Sequence, residues 1–220
     1  MAAEAGARRA ERSEVRRSRA AILAAAERHW TVRDADPTMA ELASLAGVGS
    51  ATLYRRYPDI DAVAVALHAQ LVPEFERVQA VVAEQQSGWD GIVALVTGII
   101  EVLQEHPAIP RLNRRMTALG GDDRLSTGFA EPLEALVAWA QQEGSLRPDV
   151  NSNDVTFAAF RIGGYSNLPP DEADRVLGRQ VGIVLDGLRA DGAKTVLPGG
   201  PVSMDDLHRI FQHEVDNPKD

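Results

Sequence analysis

The chain has 220 residues, enough for one or two domains with a proper core, and its 45% hydrophobic content is mostly Ala, Leu and Val with few aromatics, the composition of a helical bundle. It holds no cysteine, which excludes a disulfide frame, a thiolate nucleophile and thiolate metal ligands, and no run approaches the roughly 18 uncharged apolar residues of a membrane span. The net charge of −9 is unevenly placed: residues 1–60 carry ten Arg against eight acids, and residues 61–220 carry thirteen Lys/Arg against twenty-four acids. A basic surface beside an acidic body remains compatible with a polyanionic partner, because charge attraction decays over about 8–10 Å.

In chain order, residues 1–17 are rich in Ala, Arg and Glu and read as a flexible basic arm, or as a solvated leader. The charged N-terminus lacks the apolar stretch of a secretory signal, and the expected setting is cytoplasmic. Ser18 to Trp30 is a helix with Ile22, Leu23, Ala26 and Trp30 on one face. A second helix follows Thr38 as N-cap, with Leu42, Leu45 and Ala46 at buried spacing, and it stops at Gly47, where a left-handed backbone is needed. Val48 fills the corner, and a third helix runs from Ser50 to Tyr57 until Pro58 ends it. Helix, glycine turn and short helix together are the layout of a helix-turn-helix, whose second helix enters the DNA major groove.

The remainder is also helical. A long helix from 59 to 86 contains Pro73 and so a kink or a break. Residues 89–105 are apolar on nearly all sides, which places that helix in the middle of a bundle. Shorter helices are expected over 108–119, 125–143 with Pro132, 151–168 capped by Asn151 or Asn153, 171–190, and 203–214 capped by Ser203, with a loop at 120–123. The fold class is therefore all-α, a three-helix helix-turn-helix head over 18–60 followed by a helical bundle over 61–220.

Residues 18–63 resemble the DNA-binding domain of the tetracycline-repressor (TetR) family of bacterial regulators. The likeness is carried by Ala21–Ala26 with Trp30, by Leu42-Ala43…Ala46-Gly47-Val48, and above all by Thr52-Leu53-Tyr54-Arg55-Arg56-Tyr57-Pro58. The resemblance implies that Thr52 and Tyr54 bond DNA phosphates through hydroxyls and that Gly49, Ser50, Ala51 and Arg55 face the duplex, with Arg55 able to grip a guanine. It also implies a phosphate contact at Thr38 on a helix N-terminus, while Arg56 and the arm residues Arg16 and Arg17 add cations. One departure stands out: where the family usually starts its fourth helix with Lys or Arg, this chain has Ile60 between Asp59 and Asp61.

By the same resemblance, the helices over 89–143 line a small-molecule pocket. Trp89, His106, Arg115, Met116, Leu119 and Trp139 are its candidates, as large or polar groups among apolar helices, although each also reads as a core filler, a helix-end residue or a solvated face. Mid-helix glycines cost about 1 kcal/mol relative to Ala, a cost that close helix packing offsets, so Phe160, Gly164, Gly178, Gly182 and Leu185 mark a two-fold homodimer seam, the alternative being that Gly163-Gly164 kinks a helix beside the pocket. No zinc spacing, P-loop, dinucleotide fingerprint or nucleophile elbow occurs, so no enzyme, cofactor or metal is expected. The expected function is a DNA-binding transcriptional regulator, a repressor of an operator released by a small-molecule effector. The alternative is a small-molecule-binding helical protein that has lost operator binding, which Ile60 supports.

Overall fold

A computed structural model describes residues 2–33, 35–119, 124–164, 170–192, 195–198 and 200. The expected terminal helix over 203–214, the 120–123 loop and the stretch 165–169 lie outside the described residues. Among the described residues all regular structure is helical except one antiparallel bridge between Leu146 and Arg189. The chain forms two compact units, Met1–Gln70 and Leu71–Asp220. The boundary lies inside a helix rather than at residue 60.

The first unit contains α1 (Ala2–Val32), α2 (Met39–Ala46), α3 (Ser50–Arg56) and the start of α4 (Ile60–Ala83). Helical backbone begins at Ala2, ahead of the expected helix start at Ser18: Ala, Arg and Glu are among the strongest helix formers, and the apolar face from Ile22 onward nucleates a helix that they extend. Ile22, Leu23, Leu42, Leu53, Val63 and Leu67 are fully buried and form the core of this unit. Trp30 donates its indole N–H to Asp36 Oδ1 at 3.0 Å and His29 donates from Nε2 to the Ala35 carbonyl at 3.0 Å, which tethers the α1–α2 connection.

Thr38 caps α2 through a full capping box: its Oγ1 accepts from the Glu41 amide, and Glu41 Oε2 accepts from the Thr38 amide at 2.8 Å. Gly47 closes α2 at φ 65°, ψ 32°. Its N–H reaches Ser44 O and the Val48 N–H reaches Ala43 O at 3.0 Å, the pair of bonds of a Schellman motif. The buried face of α2 is Leu42 and Ala43; Leu45 is 53% exposed, contrary to the expected Leu42/Leu45/Ala46 stripe, because an eight-residue helix is covered along only one line of contact. Asp59 Oδ1 accepts from the Ala62 amide at 2.8 Å and so caps α4.

The second unit is built around α5 (Gly88–Glu105), which packs against α7 (Arg124–Gln142), α8 (Ser152–Gly163) and α9 (Pro170–Leu188). The helix α6 (Ile109–Ala118) follows the His106-Pro107 corner. As the sequence suggests, α5 is the buried centre, with Ile92, Val96 and Leu103 fully enclosed. Two glycines permit its approach to neighbours. A Cβ on Gly88 would stand 2.5 Å from the Ala140 backbone of α7, and one on Gly163 would stand 2.4 Å from Leu103 Cδ1. The helix α8 starts at the Asn151 capping box and ends at Gly163, short of residue 168, with Gly164 as its C-cap. No single described helix is long and apolar enough to cross a membrane.

Candidate nucleic-acid interface and ligand cavity

The helix α3 starts without a side-chain cap: Gly49 is extended, and its carbonyl accepts from the amides of Thr52 (2.9 Å) and Leu53 (3.1 Å). Leu53 is the inward anchor at 0% exposure, and buried Tyr57 ends the helix by donating its N–H to Leu53 O. With those two residues turned inward, Ser50, Ala51, Tyr54 and Arg55 are presented to solvent, while Thr52 and Arg56 are half-buried. Tyr54 is 54% exposed, large for an aromatic ring of a core-forming element. Arg55 and Arg56 occupy the last turn, where cations complement the negative helix end. Arg16 and Arg17 are exposed on α1, on helical backbone rather than on an extended strand of chain.

Thr38 is placed at the α2 N-terminus as expected, but its hydroxyl donates to Glu41 Oε2 at 2.8 Å, so its single O–H is already engaged. Glu41 titrates below the ordinary carboxylate range, first because Thr38 hydrogen-bonds it and then through the nearby charges of His29 and Arg33. Sequence reasoning missed Glu41, although the Thr-x-x-Glu spacing over 38–41 was its signal. The two acids flanking Ile60 also acquire a local reason: Asp59 is the α4 cap and Asp61 lies in its first turn, where negative charge favours the helix dipole.

In the second unit a cavity of about 250 Å³ lies between α4, α5 and α7, lined by Gln79, Val82, Leu95, Pro132, Leu136 and Trp139 among others. Gln79 is the polar side chain in that lining. Of the six expected pocket residues, Trp139 borders the cavity and the other five do not. Trp89 lies under the Arg189 guanidinium, 4.3 Å from its ring centroid. His106 is the C-cap of α5, Met116 is buried, Arg115 is half-buried and Leu119 is 44% exposed. The α4 contribution was overlooked because its apolar residues read as core; Gln79 within that apolar face was the available clue.

The expected seam residues also separate. Phe160 stacks on Phe75 at 6.3 Å with an 8° interplanar angle, so part of its ring is used inside the second unit. Gly164 is exposed beyond α8, and Leu185 is half-buried. Gly178 and Gly182 on α9 have nothing within 4 Å of where a Cβ would stand.

A three-helix head with a capped α2, a glycine turn and an exposed, cation-bearing α3 defines a helix-turn-helix DNA-binding regulator. Residues 22–67 match the family of bacterial regulatory proteins, tetR family. A TetR transcriptional regulator from Streptomyces coelicolor is 29% identical over 78% of this chain and 98% of its own, with a TM-score of 0.51. Two further structures share the fold: a TetR transcription regulatory protein from Mycobacterium vanbaalenii (24% identity, 81% and 98% coverage, TM-score 0.51) and a ketosteroid transcriptional regulator of Mycobacterium tuberculosis (18%, 78% and 94%, 0.65). No curated protein matches the sequence. Residues 22–67 carry the DNA-binding domain of TetR-family transcriptional regulators, and the chain has the helical fold of the solved TetR regulators it resembles.

Proposed function

We propose that the protein represses transcription in the cytoplasm by binding an operator as a homodimer, and that a small apolar effector in the α4–α5–α7 cavity releases it. The observation that carries the reading is α3, whose Leu53 and Tyr57 anchors leave Ser50, Ala51, Tyr54 and Arg55 facing outward. Arg55 reads a guanine; Tyr54 and Thr52 fix register on phosphates; Gly49, Ser50 and Ala51 allow close approach; Arg16, Arg17 and Arg56 add phosphate attraction. Thr38 contributes through the free amides of the α2 N-terminus, and its hydroxyl donates to a phosphate once Glu41 gives way.

The effector class follows from the cavity. Its lining is apolar apart from Gln79, which suits an uncharged, largely hydrocarbon molecule with one hydrogen-bonding group. A gamma-butyrolactone receptor and a ketosteroid regulator are among the proteins of this fold, consistent with ligands of that polarity. Gln79 and Val82 belong to the same helix whose first turns lie in the head, so ligand contacts bias the conformation of α4. Only affinity that differs between the DNA-competent and released states can shift that balance. The open stripe at Gly178 and Gly182 on α9, with Leu185, supplies the two-fold contact, flanked by Phe160 and Gly164.

The test is selection of a preferred duplex from a random library, followed by fluorescence anisotropy over a salt series. A palindromic consensus, with affinity that falls steeply with salt and drops tenfold or more on Arg55→Ala, is expected. Equal affinity for selected and random duplexes would overturn the operator reading.

A further inference from the structure

We propose that Glu74, Glu105 and His106 form a binding site for one divalent transition-metal ion. Each offers a donor atom, and the three atoms lie within 4.8 Å of one another. Donors on a single ion stand about 3–4 Å apart, given metal–ligand distances of about 2.0–2.2 Å, so small side-chain rotations suffice to close the site. The set joins two elements of the second unit: Glu74 projects from α4, and Glu105 and His106 form the end of α5.

Three features favour a cation there. The Glu105 carboxylate ends α5 beside the negative pole of the helix, in a last turn that holds no Lys or Arg. His106 is fixed at its base: its backbone N–H bonds Val102 O at 2.9 Å, and Pro107 restricts its backbone from the other side. The existing partner of Glu74 is weak. Arg77 pairs with it three residues along α4, but the Arg77 side chain is 70% exposed, and such a surface pair yields readily to a divalent ion.

The donor chemistry sets the class of ion. One imidazole nitrogen and two carboxylate oxygens suit Zn²⁺, Mn²⁺, Fe²⁺, Co²⁺ or Ni²⁺ better than the all-oxygen shells of Ca²⁺ and Mg²⁺. Three protein ligands leave the remaining positions to water. Bound there, the ion links α4 to the end of α5. The inference rests on the donor geometry and is independent of the operator and effector readings.

The test uses the full-length, tag-free chain, stripped with chelator and titrated calorimetrically with ZnCl₂ and separately with MnCl₂, alongside thermal unfolding with and without each salt. Expected are one saturable ion per chain and a raised unfolding midpoint. Glu74→Gln, Glu105→Gln and His106→Gln, each near-isosteric and outside the packed core, should each weaken binding at least tenfold with unchanged helical circular dichroism. Glu101→Gln, an exposed acid on the same helix, should bind as the wild type does. Absence of saturable binding overturns the proposal. So does binding that survives all three substitutions, which assigns the ion to other side chains.

Discussion

Gly47 shows how much a single residue contributes to the head. At φ 65° it lets α2 end in two bonds, from its own N–H and from Val48, that direct the chain into α3. Gly47→Ala puts a Cβ into the left-handed region at a cost of about 1–2 kcal/mol, while the surrounding space is open, so strain alone sets the effect. Urea unfolding should show that loss, and Gly47→Asn should recover part of it, because Asn tolerates this conformation; equal stability of all three would refute the argument. The turn is legible in the sequence because it depends on one residue's own backbone. Leu45 is not, since its exposure depends on where the neighbouring helices run. Glu41 lies between these cases: its capping role is local, and overlooking it left the Thr38 hydroxyl assigned to DNA alone.

At the scale of elements, glycines that look alike in the sequence behave differently. Gly163 is filled against Leu103, so Gly163→Ala gains helix propensity but overpacks α5 against α8, and a net loss of about 1–2 kcal/mol is expected in thermal unfolding. Gly182 faces open space; in an isolated chain Gly182→Ala stabilises α9 by about 1 kcal/mol. In a two-fold seam a larger side chain separates the partners, so Gly182→Leu should reduce the light-scattering mass of a dimer to that of one chain. An unchanged dimer mass would remove α9 from the interface. Helix order, the α5 centre and the α8 cap were legible because each follows from periodicity or a local capping pattern. The cavity was not, since it forms where Gln79 and Val82 of α4 meet Leu136 and Trp139 of α7, residues about 60 positions apart.

At the scale of the whole molecule, an acidic chain must hold its folded form as pH falls, and one ion pair between a buried guanidinium and an exposed carboxylate determines part of that response. Arg147, 6% exposed, grips Asp149 with two bonds (2.6 and 2.8 Å) and also donates to the carbonyls of Gly187 and Thr195. These bonds fasten the α7–α8 connection to the end of α9 beside the Leu146–Arg189 bridge. The Arg147 hydrogen bonds, and less so the Leu197 amide, hold the Asp149 carboxyl down at about 2. An unfolded aspartate titrates near about 4, so the unfolded chain takes up the proton first. The pair's contribution is therefore complete above about pH 4 and disappears as pH falls through about 2. Asp149→Asn leaves the Arg147 guanidinium without its counter-charge, and the variant should unfold at lower urea than the wild type at pH 7. The gap between the two proteins should narrow at pH 3 and close further toward pH 2, because acid removes from the wild type the same charge that the substitution removes. Urea midpoints at pH 7, 4 and 3 measure this directly, and two curves that stay parallel across that range would show that Asp149 is not the group responsible.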